Sequence, residues 1–116
     1  MKYLLLIGVD PSAMPTDPAA QAEMSAEYTV VTEKMQAAGE LLGGEQLGTP
    51  DTATSVRVRD GRTLLTDGPF AETTEQIGGF YLVDVPDLDR ALEIAATIPA
   101  AFNGGVVEVR PVVTMR

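Results

Sequence analysis

Residues 78–96, GGFYLVDVPDLDRALEIAA, contain the patterns of a strand and of a helix, separated by a Pro-Asp pair. Phe80 and Leu82 alternate with Tyr81 and Val83 across residues 78–85, which predicts a strand with two distinct faces. Asp87 is a typical N-cap residue, and Pro99 is expected to end the helix that follows. The apolar positions of this helix follow the i, i+3, i+4 rule, namely Leu88, Ala91, Leu92, Ala95 and Ala96.

The N-terminal third predicts a second strand and helix. Residues 3–9 are apolar at both parities, which is typical of a central strand covered on both faces. Three prolines predict a loop over residues 10–18. A helix is expected over residues 19–38, ended by Gly39, with an apolar stripe at Met24, Tyr28, Val31, Met35 and Ala38.

Four further strand patterns complete the chain. Residues 40–47 predict a strand bent around Gly43-Gly44, and residues 106–113 predict the last strand. Residues 55–59 and 62–66 predict a hairpin joined by Asp60-Gly61, which is typical of a type I′ turn. The order strand, helix, strands, helix, strand indicates one α+β domain over residues 1–116, with a ferredoxin-like antiparallel sheet and two helices on one face.

The sheet face opposite the helices would lack a cover within its own chain. Residues 3–9 are apolar on that face too, so we expect a second copy to cover it. The predicted assembly is a homodimer with two sheets packed face to face.

Composition excludes several kinds of chemistry. Among the 116 residues there is no histidine and no cysteine, which removes imidazole bases, His-ligated zinc, thiol nucleophiles and disulfides. Seventeen acidic residues against eight basic ones give a net charge of −9, which argues against a nucleic-acid partner. The N-terminal apolar run is shorter than a signal peptide core, and no run reaches the length of a membrane span. We expect a cytoplasmic protein that does not bind membranes.

The most unusual cluster is Asp67-Gly68-Pro69-Phe70, in the segment TDGPFAETTEQIGGFYLVDV. Together with MKYLLLI at the N-terminus, AAGELLGGEQL and GGVVEVRPV, it resembles the DGPF-domain branch of the YCII-related superfamily over nearly the whole chain. The resemblance implies a dimeric α+β barrel built on a ferredoxin-like fold.

Function in that branch is mostly unassigned, and some members accompany extracytoplasmic-function sigma factors. In the wider superfamily, the resemblance points to a dehalogenating lyase-type activity that uses a His-Asp pair. Because this chain has no histidine, that pair is not carried over to Asp67.

Two hypotheses describe Asp67. In the structural one, which composition favours, its carboxylate caps a turn, Gly68 adopts a conformation that other residues avoid, and Phe70 fills the core. In the functional one, Asp67 lies at the mouth of a pocket as a base or binding group.

Arg57 and Arg59 share a strand face and could bind an anionic ligand, although a solvated face is the commoner outcome. Tyr81, beside Gly78-Gly79, could donate to a ligand's developing negative charge, although such a residue more often packs locally. Glu45, Glu72 and Glu75 could join Asp67 around Mg²⁺, but no ligand spacing supports this. We expect no metal and no cofactor.

Three functional hypotheses remain. The favoured one is a small-molecule-binding or regulatory accessory domain, with Arg57, Arg59, Asp67, Gly68, Phe70, Glu72 and Tyr81 as candidate ligand contacts. The second is a lyase-like or isomerase-like enzyme that uses Asp67 or Tyr81. The third is a structural or protein-interaction module.

Overall fold

The computed structural model describes residues 1–114. Six strands and three helices follow one another in the order β1 (Lys2–Val9), α1 (Pro18–Ala37), β2 (Leu41–Gln46), β3 (Thr54–Arg59), β4 (Arg62–Asp67), β5 (Gln76–Asp84), α2 (Leu88–Thr97), α3 (Pro99–Phe102) and β6 (Val106–Pro111). Short 3₁₀ turns lie at Pro11–Ala13 and Pro50–Thr52. Each described helix is too short or too polar to cross a membrane.

Four strands form an antiparallel sheet in the order β2-β5-β1-β6. This strand order, with helices between β1 and β2 and between β5 and β6, confirms the ferredoxin-like α+β fold. β1 lies at the centre as its sequence predicts: Leu5 is opposite Tyr81 on one side and Val109 on the other. The register of β2 shifts between Leu41 and Gly43, which confirms the bend predicted at the glycine pair.

The core lies between one face of this sheet and the helices. Leu5, Val83 and Ile98 have no exposed surface, and the buried cluster around them includes Val31 of α1 and Ile94 of α2. The alternate β1 and β5 side chains point to the opposite face, where they are only half-buried. The structure thus covers one face of the sheet and leaves the other without helices.

The helix that follows β5 differs in detail from its predicted pattern. Asp87 is the N-cap, since its carboxylate accepts a hydrogen bond from the Arg90 amide at 2.9 Å. Leu88 and Leu92 are exposed and Ile94 is buried, so the predicted stripe is displaced. The helix ends at Thr97, just before Pro99 as predicted, and Pro99 then occupies the first turn of α3, where a missing N–H costs nothing.

Two termini also differ from the predictions. Ala38 is exposed rather than part of the core stripe of α1, because it already belongs to the C-cap, after which Gly39 takes a φ of 70°. The last strand ends at Pro111, two residues earlier than predicted.

An ion pair joins α2 to the connection between α1 and β2. The Arg90 guanidinium donates to both carboxylate oxygens of Glu40, with Nε–Oε2 at 2.8 Å and Nη2–Oε1 at 2.7 Å. These hydrogen bonds hold the pKa of Glu40 below its usual value, and the same pair raises the pKa of Arg90.

β3 and β4 form a separate two-stranded sheet, which we call the arm (residues 54–67). Positive φ values of 50° at Asp60 and 73° at Gly61 confirm the turn predicted at its tip. The arm is closed at its base, where the Gly68 amide donates to the Ala53 carbonyl at 2.8 Å. The Cα radius of gyration is 16.1 Å, against about 13 Å for a compact chain of this length. The arm therefore projects from the rest of the domain.

Candidate functional site

A cleft of about 960 Å³ lies between α1 and the edge of the sheet formed by β2 and β5. The C-terminal half of α1 packs on the sheet through Val31 and Met35, which are both buried. Its N-terminal half does not pack as closely, and Met24, predicted to lie in the core, is half-buried and lines the cleft. The cleft thus forms where the helix leaves the sheet.

Glycines from two neighbouring strands shape the floor of the cleft. Gly44 of β2 pairs with Tyr81 of β5, and a Cβ at Gly44 would lie 2.8 Å from Cδ1 of Tyr81. A Cβ at Gly79 would lie 2.9 Å from the Glu45 carbonyl oxygen. Because neither position has room for a side chain, the two strands approach closely and the Tyr81 ring packs against Gly44.

Three residues form a hydrogen-bonded chain between the helix and the floor. The Thr32 hydroxyl donates to the Tyr28 carbonyl at 2.8 Å, and its oxygen lies 2.9 Å from the Tyr81 hydroxyl. A threonine hydroxyl carries one proton, so Tyr81 is the donor to Thr32. The Tyr81 hydroxyl can therefore accept a further hydrogen bond through its lone pairs, whereas its proton is already donated to Thr32.

Tyr28 lies on the same helix face, one turn before Thr32. Burial raises the pKa of its phenol, an effect that a hydrogen bond with the Ala100 backbone partly offsets. Tyr28 therefore stays neutral around pH 7 and presents an uncharged aromatic ring to the cleft.

The charged residues of the cleft lining are both acidic. Glu33 is on the exposed part of α1, one residue after Thr32. Glu45 contributes to the lining from β2, but it is opposite Phe80, so its side chain belongs to the other face of the sheet. None of the basic residues within 1–114 is part of the lining.

Of the candidate residues predicted from the sequence, Tyr81 and Glu45 line this cleft, whereas the arm arginines and the DGPF segment lie elsewhere. Arg57 and Arg59 share one face of the arm, as predicted, and Arg62 is opposite Arg59. All three are exposed, and none forms an ion pair within the described part of the chain. The arginines and Tyr81 are therefore not parts of one site in a single chain.

The DGPF segment lies at the base of the arm. Asp67 is the last residue of β4 rather than part of the following loop, and it pairs with Thr54. Its carboxylate makes no hydrogen bond to residues 1–114, whereas Gly68 has a φ of 96° and its carbonyl accepts from the Ser55 hydroxyl at 2.7 Å. Phe70 is 82 % exposed, so the prediction that it fills the core is wrong: Gly68 turns the chain outward before Phe70 can reach the sheet.

The loop after Phe70 is organised by Gln76. Its side-chain amide donates to the carbonyls of Ala71, at 3.1 Å, and Thr73, at 2.7 Å. Glu72 and Glu75 are exposed on this loop. Across residues 1–114, the acidic side chains form no group of three that could hold a metal ion.

Sequence reasoning did not identify Thr32, Glu33 or Gly44 as site residues. A signal was present, since Gly43-Gly44 and Gly78-Gly79 both interrupt apolar strands. That the two glycine pairs lie side by side depends on the pairing of β2 with β5, which the sequence pattern alone does not specify.

The fold and the cleft define a small ferredoxin-like α+β domain with a ligand-sized opening between its first helix and its sheet. The chain belongs to the YCII-related domain family, whose model matches residues 1–116. It is also 41% identical over 86 residues to an uncharacterized protein of Rhizobium meliloti (strain 1021), across 73% of this chain and 69% of that protein.

Proposed function

We propose that this protein is a small-molecule-binding domain whose ligand occupies the cleft between α1 and the β2–β5 edge. The observation that carries the proposal is the Tyr81–Thr32–Tyr28 hydrogen-bonded chain at the floor of a cleft of about 960 Å³. Ligand sites are commonly concave, mostly apolar and furnished with a few oriented polar groups. This cleft has each of these properties.

A blocking substitution on the exposed helix face tests the proposal. Thr29 lines the cleft, whereas the adjacent Val30 does not, and both are exposed. We expect Thr29→Trp to abolish binding of a neutral aromatic probe, 2-naphthamide, and Val30→Trp to leave it unchanged, as measured by NMR titration. Equal binding by both variants would place the probe outside the cleft and contradict the proposal.

We also propose that the protein acts as a homodimer formed through the open face of the sheet, as a dimeric α+β barrel. Leu4 and Leu6 of β1 and Phe80 and Leu82 of β5 are half-buried on that face, and Val106 extends it over Gly8. An apolar sheet face of this extent is typical of an interface. A second copy presents the same surface, which suits a two-fold interface.

Val106 and Val30 are a matched pair for testing the dimer, because their exposures are 47 % and 49 % and only Val106 lies on the open face. We expect light scattering to give twice the 12.3 kDa chain mass for the native protein and for Val30→Glu, and a single chain mass for Val106→Glu. A native protein of single chain mass at micromolar concentration would refute the dimer.

The enzyme hypothesis receives less support from the geometry. It requires Asp67 or Tyr81 to exchange protons with a substrate, but Asp67 lies at the base of the arm and the Tyr81 proton is bonded to Thr32. We therefore propose binding, in an accessory or regulatory role, as the activity of the isolated domain. The DGPF motif at residues 67–70 supports placing the chain in the DGPF branch of its family.

A further inference from the structure

We infer that the cleft selects ligands that donate hydrogen bonds and carry no negative charge, with amides and amines favoured over carboxylates and phosphates. This inference rests on the proposed function, since it describes the ligand of the same cleft. It follows from the hydrogen-bond direction at Tyr81 and from the charges of the lining.

The first argument is the direction of the hydrogen bonds at the floor. Thr32 donates its single proton to the Tyr28 carbonyl, so Tyr81 donates to Thr32. A ligand that approaches the Tyr81 hydroxyl therefore meets an acceptor. A ligand N–H or O–H group satisfies it, whereas a carboxylate oxygen would face lone pairs.

The second argument is electrostatic. Glu33 is the charged side chain on the helix side of the cleft, and none of the basic residues within 1–114 lines it. The Glu40 carboxylate, by contrast, has Arg90 as a bidentate partner, and Arg57 and Arg59 are on the arm. An anionic ligand would thus enter a partly desolvated space beside a carboxylate, with no cation to compensate it.

The third argument concerns the body of the ligand. Ile7, Val9, Met24 and Leu41 line the cleft together with the rings of Tyr28 and Tyr81. The methionine and the two rings favour a flat, apolar ligand. The proposed ligand is therefore an aromatic or similarly apolar molecule with a neutral or cationic donor group.

Four probes that share one ring system test this inference. They are 2-naphthamide, a neutral donor; 2-naphthylmethylammonium, a cationic donor; methyl 2-naphthoate, which only accepts; and 2-naphthoate, an anion. Their dissociation constants are measured by NMR titration of the full chain at pH 7. We expect 2-naphthoate to bind about tenfold more weakly than 2-naphthamide. The dissociation constant of methyl 2-naphthoate should lie between the values for these two probes.

Two variants assign the effect to residues. Glu33→Gln should weaken the binding of 2-naphthylmethylammonium by roughly threefold, which is the effect expected of one exposed charge pair. It should leave the affinity for 2-naphthamide unchanged. Thr32→Val removes the acceptor of the Tyr81 proton, so Tyr81 can donate to a ligand. This variant should therefore reduce the difference in affinity between 2-naphthamide and methyl 2-naphthoate. Glu27→Gln, outside the cleft lining, is the control for Glu33→Gln and should change neither affinity.

The outcomes separate the two proposals. If 2-naphthoate binds as tightly as 2-naphthamide, or more tightly, and Thr29→Trp blocks both probes, the selectivity inference is wrong and the binding site stands. If none of the four probes binds at millimolar concentration, or if Thr29→Trp leaves binding unchanged, the proposed site itself is overturned.

Discussion

The β1–β5 pair and the arm are both antiparallel pairs of strands that carry apolar side chains, but these side chains have opposite environments. Leu5 has no exposed surface, and Val83 on the neighbouring strand is equally buried. In the arm, Val56 is 61 %, Val58 68 % and Leu65 68 % exposed. Val56 and Leu65 are directly opposite each other, so these apolar residues share one uncovered face.

Apolar side chains on one face of a strand therefore indicate a face that can be buried, but they do not specify whether another element covers it. β1 and β5 are buried because α1 and α2 pack across them. The arm leaves the domain at Ala53 and returns at Gly68, and within residues 1–114 its apolar face stays exposed. The hydrophobic effect contributes to folding only where apolar surface is removed from water. Within a single chain, this burial occurs at the four-stranded sheet and not at the arm.

Substitution of one leucine in each region should give the greatest difference in stability. Leu5→Ala should lower the free energy of unfolding by about 2–5 kcal/mol, because it opens a cavity in a packed core. Leu65→Ala in the arm should change it by less than about 0.5 kcal/mol. Urea unfolding followed by circular dichroism measures both. A loss at Leu65 as large as that at Leu5 would show that the arm is covered in solution.

A second comparison uses the glycine pair of β2. A Cβ at Gly44 would lie 2.7 Å from the Phe80 carbonyl oxygen, whereas at Gly43 no atom lies within 4 Å. Gly44→Ala should therefore lower the free energy of unfolding by about 1–3 kcal/mol, because the new methyl group would be strained against β5. Gly43→Ala, in a space as open as that around the arm, should cost less than about 0.5 kcal/mol.

Thermal unfolding and the NMR signals of Tyr81 provide the measurement for both glycine variants. Equal stability of Gly44→Ala and Gly43→Ala would mean that β2 and β5 separate easily, and the sheet edge would then resemble the arm more than the core.

The smallest expected effect is a pH dependence. Arg90 lowers the pKa of Glu40 in the folded state. On acidification, Glu40 thus takes up its proton at a higher pH in the unfolded state than in the folded state. The stability contributed by the ion pair is fully present above the pKa of Glu40 in the unfolded state, and it is lost as the pH falls through the lower pKa of the folded state. Glu40→Gln should therefore flatten the decline in stability on acidification.

Arg59→Gln in the arm is the control for this pH dependence. Arg59 forms no ion pair to residues 1–114, so its replacement should leave the slope of stability against pH as it is in the native protein. Urea midpoints between pH 3 and pH 6 provide the measurement, and parallel curves for Glu40→Gln and the native protein would exclude a role for the pair.

Much of the fold could be predicted because its signals are local. The alternation in β5, the Asp87 cap, the Gly39 termination and the Asp60-Gly61 turn each depend on a few neighbouring residues. The errors arose where packing decides. Ile94 rather than Leu92 faces the core, and Phe70 is in solvent because Gly68 directs the chain away.

The candidate site was less predictable. Tyr81 was identified by its position beside Gly78-Gly79, but its partner Thr32 is 49 residues away in the chain. The cluster around Asp67, which contains the most candidate residues in the sequence, lies at the base of the arm and outside the cleft lining. The functional roles predicted for Asp67 and for the arm arginines remain predictions.

The fold class, the turns and caps, the family, and the absence of imidazole and thiol chemistry can all be predicted from the sequence, because they depend on residue types and short-range spacing. Tertiary packing determines which apolar faces are covered, that Gly44 and Thr32 meet at Tyr81, and that the Thr32 hydroxyl contacts both the Tyr28 carbonyl and the Tyr81 hydroxyl. Burial and hydrogen bonding between distant segments depend on which elements pack together, and a sequence pattern records only that an element has a face to bury.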